Sequence, residues 1–267
     1  MNYIMKYGLE YNPFIKNTTL NIYESSDYKE TLFRLNYLLD IKGFGVITGD
    51  PGKGKTTTIR NWSKTLNRSL YKVIYIPLST LTVMEFYRTL ASELGIDAYH
   101  QKSKNFGAIQ EEISRLTNDK RITPIIILDE ANYLKSATLN DLKMLFNFEM
   151  DSKDKALVLL VGLPILNNTL NLNAHEPLRQ RITMSYHFSG LNKLEAKDYI
   201  LLKLKRAGCL IEIFSEAALD AIINSSNGIA REIDRIVNRA LMLGEKLKAD
   251  VIDTEIVMKA YDDILLG

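Results

Sequence analysis

The run Gly49-Asp50-Pro51-Gly52-Lys53-Gly54-Lys55-Thr56 is where residue type and spacing most directly specify chemistry. Its glycines let the backbone curl so that successive N–H groups point inward, and a helix beginning at its end adds the positive end of its dipole. Such a cradle takes a phosphate chain. Lys55 brings a mobile cation for the β and γ phosphates, and the Thr56 hydroxyl is a hard oxygen ligand for Mg²⁺. Thr57 and the loop residues Asp50, Pro51 and Lys53 complete the nucleotide-binding stretch. The run follows an apolar segment, Phe44 to Thr48, and precedes a helical pattern with Ile59, Trp62 and Leu66 on one face, which is the context that a P-loop requires.

A second chemical signal is Ile125-Ile126-Ile127-Leu128-Asp129-Glu130, an apolar strand ending in two carboxylates about 70 residues beyond Lys55. Beside a P-loop, Asp129 is placed to hold Mg²⁺ and Glu130 to accept a proton from an attacking water. Arg179 and Arg181 precede the last apolar run, and Arg231 opens a later helix. In an oligomer, an arginine at such places can stabilise charge on a transferring phosphoryl group.

These residues need a scaffold. Phe44 to Thr48, Lys72 to Pro77, Ile125 to Asp129, Leu157 to Val161 and Met184 to Phe188 are short, nearly continuous apolar runs, the pattern of strands covered on both faces. Helical stripes lie between them: Val83, Phe86, Leu90 and Leu94, capped by Thr82 with Glu85 and stopped at Gly95; then Phe106, Ile109, Ile113 and Leu116; then Leu139, Leu142, Leu145 and Phe146. After Ser189 only helices are expected, over Asn192 to Ala207, Ser215 to Ser226, Ile229 to Leu247 and Asp253 to Leu266. The expected fold is α/β: a parallel five-stranded sheet between helical layers over residues 1–190, and a small all-helical part over 191–267. The length of 267 residues, with 46% hydrophobic and 25% charged side chains, suits one principal domain with a smaller companion.

Composition narrows the partners. A formal charge of +2 does not announce a polyanion binder, so any such site is local. Cys209 is the single cysteine, which excludes an intramolecular disulfide and a Cys-rich zinc site. His100, His175 and His187 lack metal-ligand spacing. The uncharged stretch Ala156 to His175 is interrupted by Pro164 and by asparagines from Asn167 onward, so it reads as a buried strand and a loop rather than a membrane span. The start carries Lys6 and Glu10 and lacks a signal-peptide core, and a cytoplasmic location is expected.

The chain resembles AAA+ ATPases along its whole length. More narrowly it is similar to the ATPase helpers encoded beside transposases in insertion sequences and Mu-like transposons, and to the related ExeA-type ATPases. The residues carrying the narrower resemblance are Gly8-Leu9 with Asn12-Pro13-Phe14, Gly43 through Gly49, Leu128-Asp129-Glu130-Ala131, Leu178-Arg179-Gln180-Arg181-Ile182 and Gly228-Ile229-Ala230-Arg231-Glu232-Ile233. It implies a P-loop NTPase fold of three αβα layers followed by a helical AAA+ lid, with Walker A at Gly49 to Thr56 and Walker B at Asp129 and Glu130. It further implies a γ-phosphate-sensing arginine at Arg231, an arginine acting on the next subunit at Arg179 or Arg181, and an N-terminal segment around Asn12 near the adenine. Two positions depart from the family. Leu163 stands where a polar residue that senses the γ-phosphate is common, so that either Asn167 or Asn168 substitutes or turnover is slow, and Ala230 stands where proline is frequent.

The resemblance implies ATP and Mg²⁺ as ligands, double-stranded DNA and a DDE-type transposase as partners, and a homo-oligomer, ring or helical filament, with no membrane. Nucleotide between the two parts would couple hydrolysis to their angle. Candidate DNA-contacting residues are Lys102, Lys104, Lys120, Arg121, Lys135 and Lys143. ExeA-type proteins carry a membrane span and an envelope-binding region that these 267 residues lack, so the secretion-associated reading ranks second. An ATP-assembled DNA scaffold with little turnover is the other alternative.

Overall fold

In the computed structural model the described residues are 3–15, 22–77 and 80–266. The strands are β1 (Gly43–Gly49), β2 (Tyr71–Ile76), β3 (Thr123–Leu128), β4 (Leu157–Gly162) and β5 (Ile182–Phe188). The α-helices are α1 (Tyr3–Lys6), α2 (Ser26–Ile41), α3 (Lys55–Thr65), α4 (Val83–Leu94), α5 (Lys102–Asn118), α6 (Ser136–Leu145), α7 (Ile165–Leu170), α8 (Glu176–Arg179), α9 (Lys193–Arg206), α10 (Glu216–Ser226), α11 (Ala230–Lys246) and α12 (Thr254–Leu266). They pack as two compact units: residues 30–50 with 55–188, and residues 3–15 and 22–29 with 51–54 and 189–266.

The first unit is built on the five-stranded sheet, order β2-β3-β4-β1-β5, with every pairing parallel. All five expected strands are present. Strand residues alternate between two apolar layers. Ile126, Leu128, Val158 and Leu160 face the layer containing α4, α5 and α6, whereas Ile125, Ile127, Leu159 and Val161 face Leu35 and Leu38 of α2 and Ile59 and Trp62 of α3. β1, β3 and β4 are covered on both faces, whereas the edge strands β2 and β5 carry exposed residues, correcting the expectation that all five are covered on both faces. β4 separates β1 from β3, so the acidic strand is not the neighbour of the P-loop strand. At the β5 edge, Arg34 donates to the Ser185 carbonyl (2.7 Å) and lies over the Tyr186 ring (5.0 Å), occupying a group that another strand could otherwise pair.

Local chemistry sets the helix ends. Thr82 and Asn192 close capping boxes with Glu85 and Glu195, Ser215 caps α10, and Gly95 (φ +82°) terminates α4 in the left-handed region. Ile165–Leu170 is a helix, correcting the expectation of a loop there; Leu166 and Leu170, one turn apart, are buried and hold it despite the asparagines.

The second unit is helical. α9 to α12 enclose a core that includes Ile200, Ile222, Ile236, Val237 and Val257. Tyr3, Tyr7, Leu9 and Phe14 belong to this same core, so the N-terminal residues pack with the helical part and not, as the expected division at 190 would have it, with the sheet. Non-local burial is the cause: the Tyr7 hydroxyl donates to the Ala249 carbonyl (3.0 Å), and the Glu10 N–H to that of Ala207 (2.7 Å). No helix among the described residues is long and apolar enough to cross a membrane.

Candidate active site

The glycine-rich loop leaves β1 at Gly49 and enters α3 at Lys55. Gly52 (φ +81°) and Gly54 (φ +105°) adopt left-handed conformations that side chains disfavour. Lys55 is buried, and its Nζ donates to the carbonyls of Gly49 (2.6 Å) and Asp50 (2.9 Å). These dipoles hold the ammonium against the loop, where it can meet a phosphate oxygen. Gly52 also has no room for a Cβ, which would lie 2.8 Å from Arg231 Cβ and 3.0 Å from Ile229 Cγ2. The Gly52 carbonyl accepts from the Arg231 N–H (3.3 Å). Gly52→Ala is therefore expected to weaken ATP binding about tenfold or more, read by calorimetric titration, since the strain of about 1–2 kcal/mol falls on the cradle itself.

In the sheet unit, β3 delivers the acidic pair. Asp129 continues the β3 ladder through its N–H to the Ile76 carbonyl (3.0 Å) and is buried. Its Oδ1 accepts the Glu130 N–H (2.9 Å), and its Oδ2 accepts the hydroxyls of Thr56 (3.1 Å) and Tyr75 (2.7 Å). Thr56 thus spends its proton on Asp129 and keeps its lone pairs for a cation. The two oxygen donors suit Mg²⁺, which is typically held by one or two carboxylates together with phosphate oxygens and water. Burial and the bond to Asp129 raise the Tyr75 phenol above its ordinary pKa, so it remains a donor at physiological pH. Glu130 is exposed and lies in the left-handed region (φ 53°, ψ 36°), a conformation a non-glycine residue rarely adopts. Tyr75 was missed in the sequence. The available signal was its place at the carboxyl end of β2, with the same parity as Asp129.

The remaining candidates separate by environment. Arg179 is exposed, with Nη1 on the Asn171 carbonyl (3.2 Å), whereas Arg181 is half-buried and bonded to the Lys143 carbonyl (2.9 Å), and burial lowers its pKa. Arg231 is exposed at the start of α11. Asn12 is buried in the helical unit: its Nδ2 bonds Tyr3 Oη (2.9 Å) and Asn238 Oδ1 (2.6 Å), and its Oδ1 accepts from Phe14 N–H. The Leu163 N–H donates to Asn132 Oδ1 (2.9 Å), while Asn167 Nδ2 bonds Thr48 Oγ1 (3.2 Å), which in turn meets His187 Nδ1 (3.2 Å). Asn167, half-buried, is joined to the P-loop strand; Asn168 is exposed. Lys102 is committed to an ion pair with Asp141 (2.6 Å), whereas Lys104, Lys120, Arg121 and Lys135 are exposed.

Residues 40–170 match the family described as AAA domain. General secretion pathway protein A of Aeromonas hydrophila is 32% identical over 266 residues, 97% of this chain and 48% of that protein. ATP-dependent target DNA activator B of Escherichia phages D108 and Mu is in each case 24% identical over 176 residues, 66% of this chain and 53% of the relative. The chain thus spans about half the length of the curated relatives it matches. Among solved structures, Cdc6p from Pyrobaculum aerophilum shares the fold at a TM-score of 0.71 and 20% identity, over 96% of this chain and 71% of that one. Sheet order, phosphate loop, acidic pair and these likenesses agree: the chain is an AAA+ P-loop protein, related both to the secretion protein and to the phage DNA activators.

Proposed function

We propose that this chain is an Mg²⁺-dependent ATPase that binds ATP through Gly49 to Thr57, assembles with copies of itself on double-stranded DNA and delivers that DNA to a DDE-type transposase. The observation that carries the ATPase part is the Thr56–Asp129 hydrogen bond, which joins the phosphate loop to the acidic strand. Lys55 binds β and γ phosphate oxygens, Thr56 and Asp129 would hold the metal, and Glu130 takes the proton of the attacking water. Mg²⁺ held there would offset the charge of the phosphates. Arg231 senses the γ-phosphate, with Asn167 as the polar group in place of Leu163. Asn12 supports the N-terminal segment through its packing.

Exposure favours Arg179 over Arg181 as the residue acting on a neighbouring copy's nucleotide. Arg179→Ala is expected to cut the turnover of the assembled protein by about 10³-fold or more without changing ATP affinity. Arg181→Ala should instead lower the melting temperature, because it strips a half-buried bond to α6.

The DNA part is supported by the likeness to the phage target DNA activators, and a cytoplasmic location goes with it. A second reading has its own support: the 32% identity to the secretion protein covers nearly the whole chain, which favours an ATPase module of a secretion system. Turnover and electrophoretic mobility shifts with and without duplex DNA separate them. ATP-dependent, salt-sensitive DNA binding with stimulated turnover is expected for the first reading. DNA-independent turnover without DNA binding would remove it in favour of the second, and ATP-dependent DNA binding with negligible turnover would reduce the chain to a scaffold.

A further inference from the structure

Asp129 receives a hydrogen bond that neither the phosphate loop nor the acidic pair accounts for. Tyr71, Val73 and Tyr75 alternate on the face of β2 that Ile125, Ile127 and Asp129 share on β3, and Tyr75 pairs in register with Ile127. The Tyr75 side chain therefore reaches along the sheet to the next same-face residue of β3. Its hydroxyl bond to the carboxylate, 2.7 Å, is shorter than those from Glu130 N–H, 2.9 Å, and from Thr56, 3.1 Å. These donors differ in what holds them. Thr56 rides on the phosphate loop and has a cation to serve, and the Glu130 N–H grips only Oδ1. Tyr75 grips Oδ2 from a strand of the sheet. Two donors on different oxygens fix the plane of a carboxylate; one leaves it free to swing about the other.

We infer that Tyr75 is a positioning residue for the magnesium site, anchoring the Asp129 carboxylate from the sheet whether or not Thr56 is engaged. This rests on the Mg²⁺-ATPase reading above. Tyr75 is 42% exposed and borders a cavity of ≈ 340 Å³ floored by Val73 and Ile127 and walled by Ile59, Arg60 and Ser63 of α3. Without the hydroxyl, Oδ2 would keep the longer bond from Thr56 and lose the donor anchored in the sheet.

The test is Tyr75→Phe in the full chain, which deletes one oxygen from a partly exposed ring, with Tyr71→Phe on the same strand as control. ATP affinity is measured calorimetrically in EDTA and across a Mg²⁺ titration. Affinity in EDTA should be unchanged, the Mg²⁺ concentration for half-maximal tightening should rise about tenfold, and turnover should recover at saturating Mg²⁺. Tyr71→Phe should move none of these. An unchanged Mg²⁺ midpoint, or equal loss in EDTA and Mg²⁺ with a lower melting temperature, would overturn the assignment and leave Tyr75 a packing residue. Failure of the wild-type chain itself to bind ATP more tightly with Mg²⁺ would overturn the ATPase reading, and this assignment with it.

Discussion

Glu130→Gln should bind ATP as tightly as the parent and hydrolyse it about 10²–10⁴-fold more slowly, the usual contribution of a general base. Glutamine keeps the volume and the backbone preferences of glutamate, so the left-handed turn after β3 survives, and with it the Glu130 N–H bond to Asp129. What disappears is the acceptor for the water's proton. Single-turnover hydrolysis beside equilibrium ATP binding makes the distinction, and a variant that turns over normally would take Glu130 out of the mechanism. The same variant should accumulate in its ATP-bound assembly, visible as a larger species by sedimentation when ATP is added.

The largest expected stability effect lies beneath the loop. Trp62, the one tryptophan of the chain, is 1% exposed on α3, packs in the layer with Leu35, Leu38 and Ile47, and donates its Nε1–H to Asn36 Oδ1 (3.0 Å). Trp62→Ala removes that area, leaves a cavity and orphans an amide oxygen, at a cost of about 3–5 kcal/mol. For a protein of this size that is a fall in melting temperature of roughly 10 °C. Because Lys55 and Thr56 begin the same helix two turns earlier, ATP affinity should drop as well. Trp62→Phe should recover most of the stability. A Trp62→Ala chain that melts within a degree or two of the parent would contradict this account of how α3 is seated.

The chemistry-bearing stretches were legible because each is a local pattern. A glycine-spaced loop between a strand and a helix, or an apolar run ending in carboxylates, declares itself within about ten residues, and strands buried on both faces leave unbroken Val/Ile/Leu runs. α2 was not legible. Leu35 and Leu38 face the core while Phe33, Tyr37 and Ile41 are exposed, so apolar residues surround the helix and blur its periodicity. α7 was hidden by asparagines whose weak helix preference is overridden by the burial of Leu166 and Leu170. The packing of Tyr3, Tyr7 and Phe14 with α11 spans more than 200 residues of chain, a distance over which no local pattern speaks. The choice between Arg179 and Arg181 likewise required burial, since two arginines one residue apart are equivalent as letters.

Placing β4 between β1 and β3 sets a length. Adjacent strands lie about 4.8 Å apart, so the phosphate-loop strand and the acidic strand run about 9.6 Å apart, axis to axis. The gap is floored by the end of β4, where Gly162 contributes no side chain and a Cβ would press within 2.7 Å of Asn132 Oδ1. Strand order and one missing methyl group thus act as a gauge block. A residue larger than glycine at 162 would press on Asn132 and misplace the turn that carries Glu130, at a point none of the reacting groups touches.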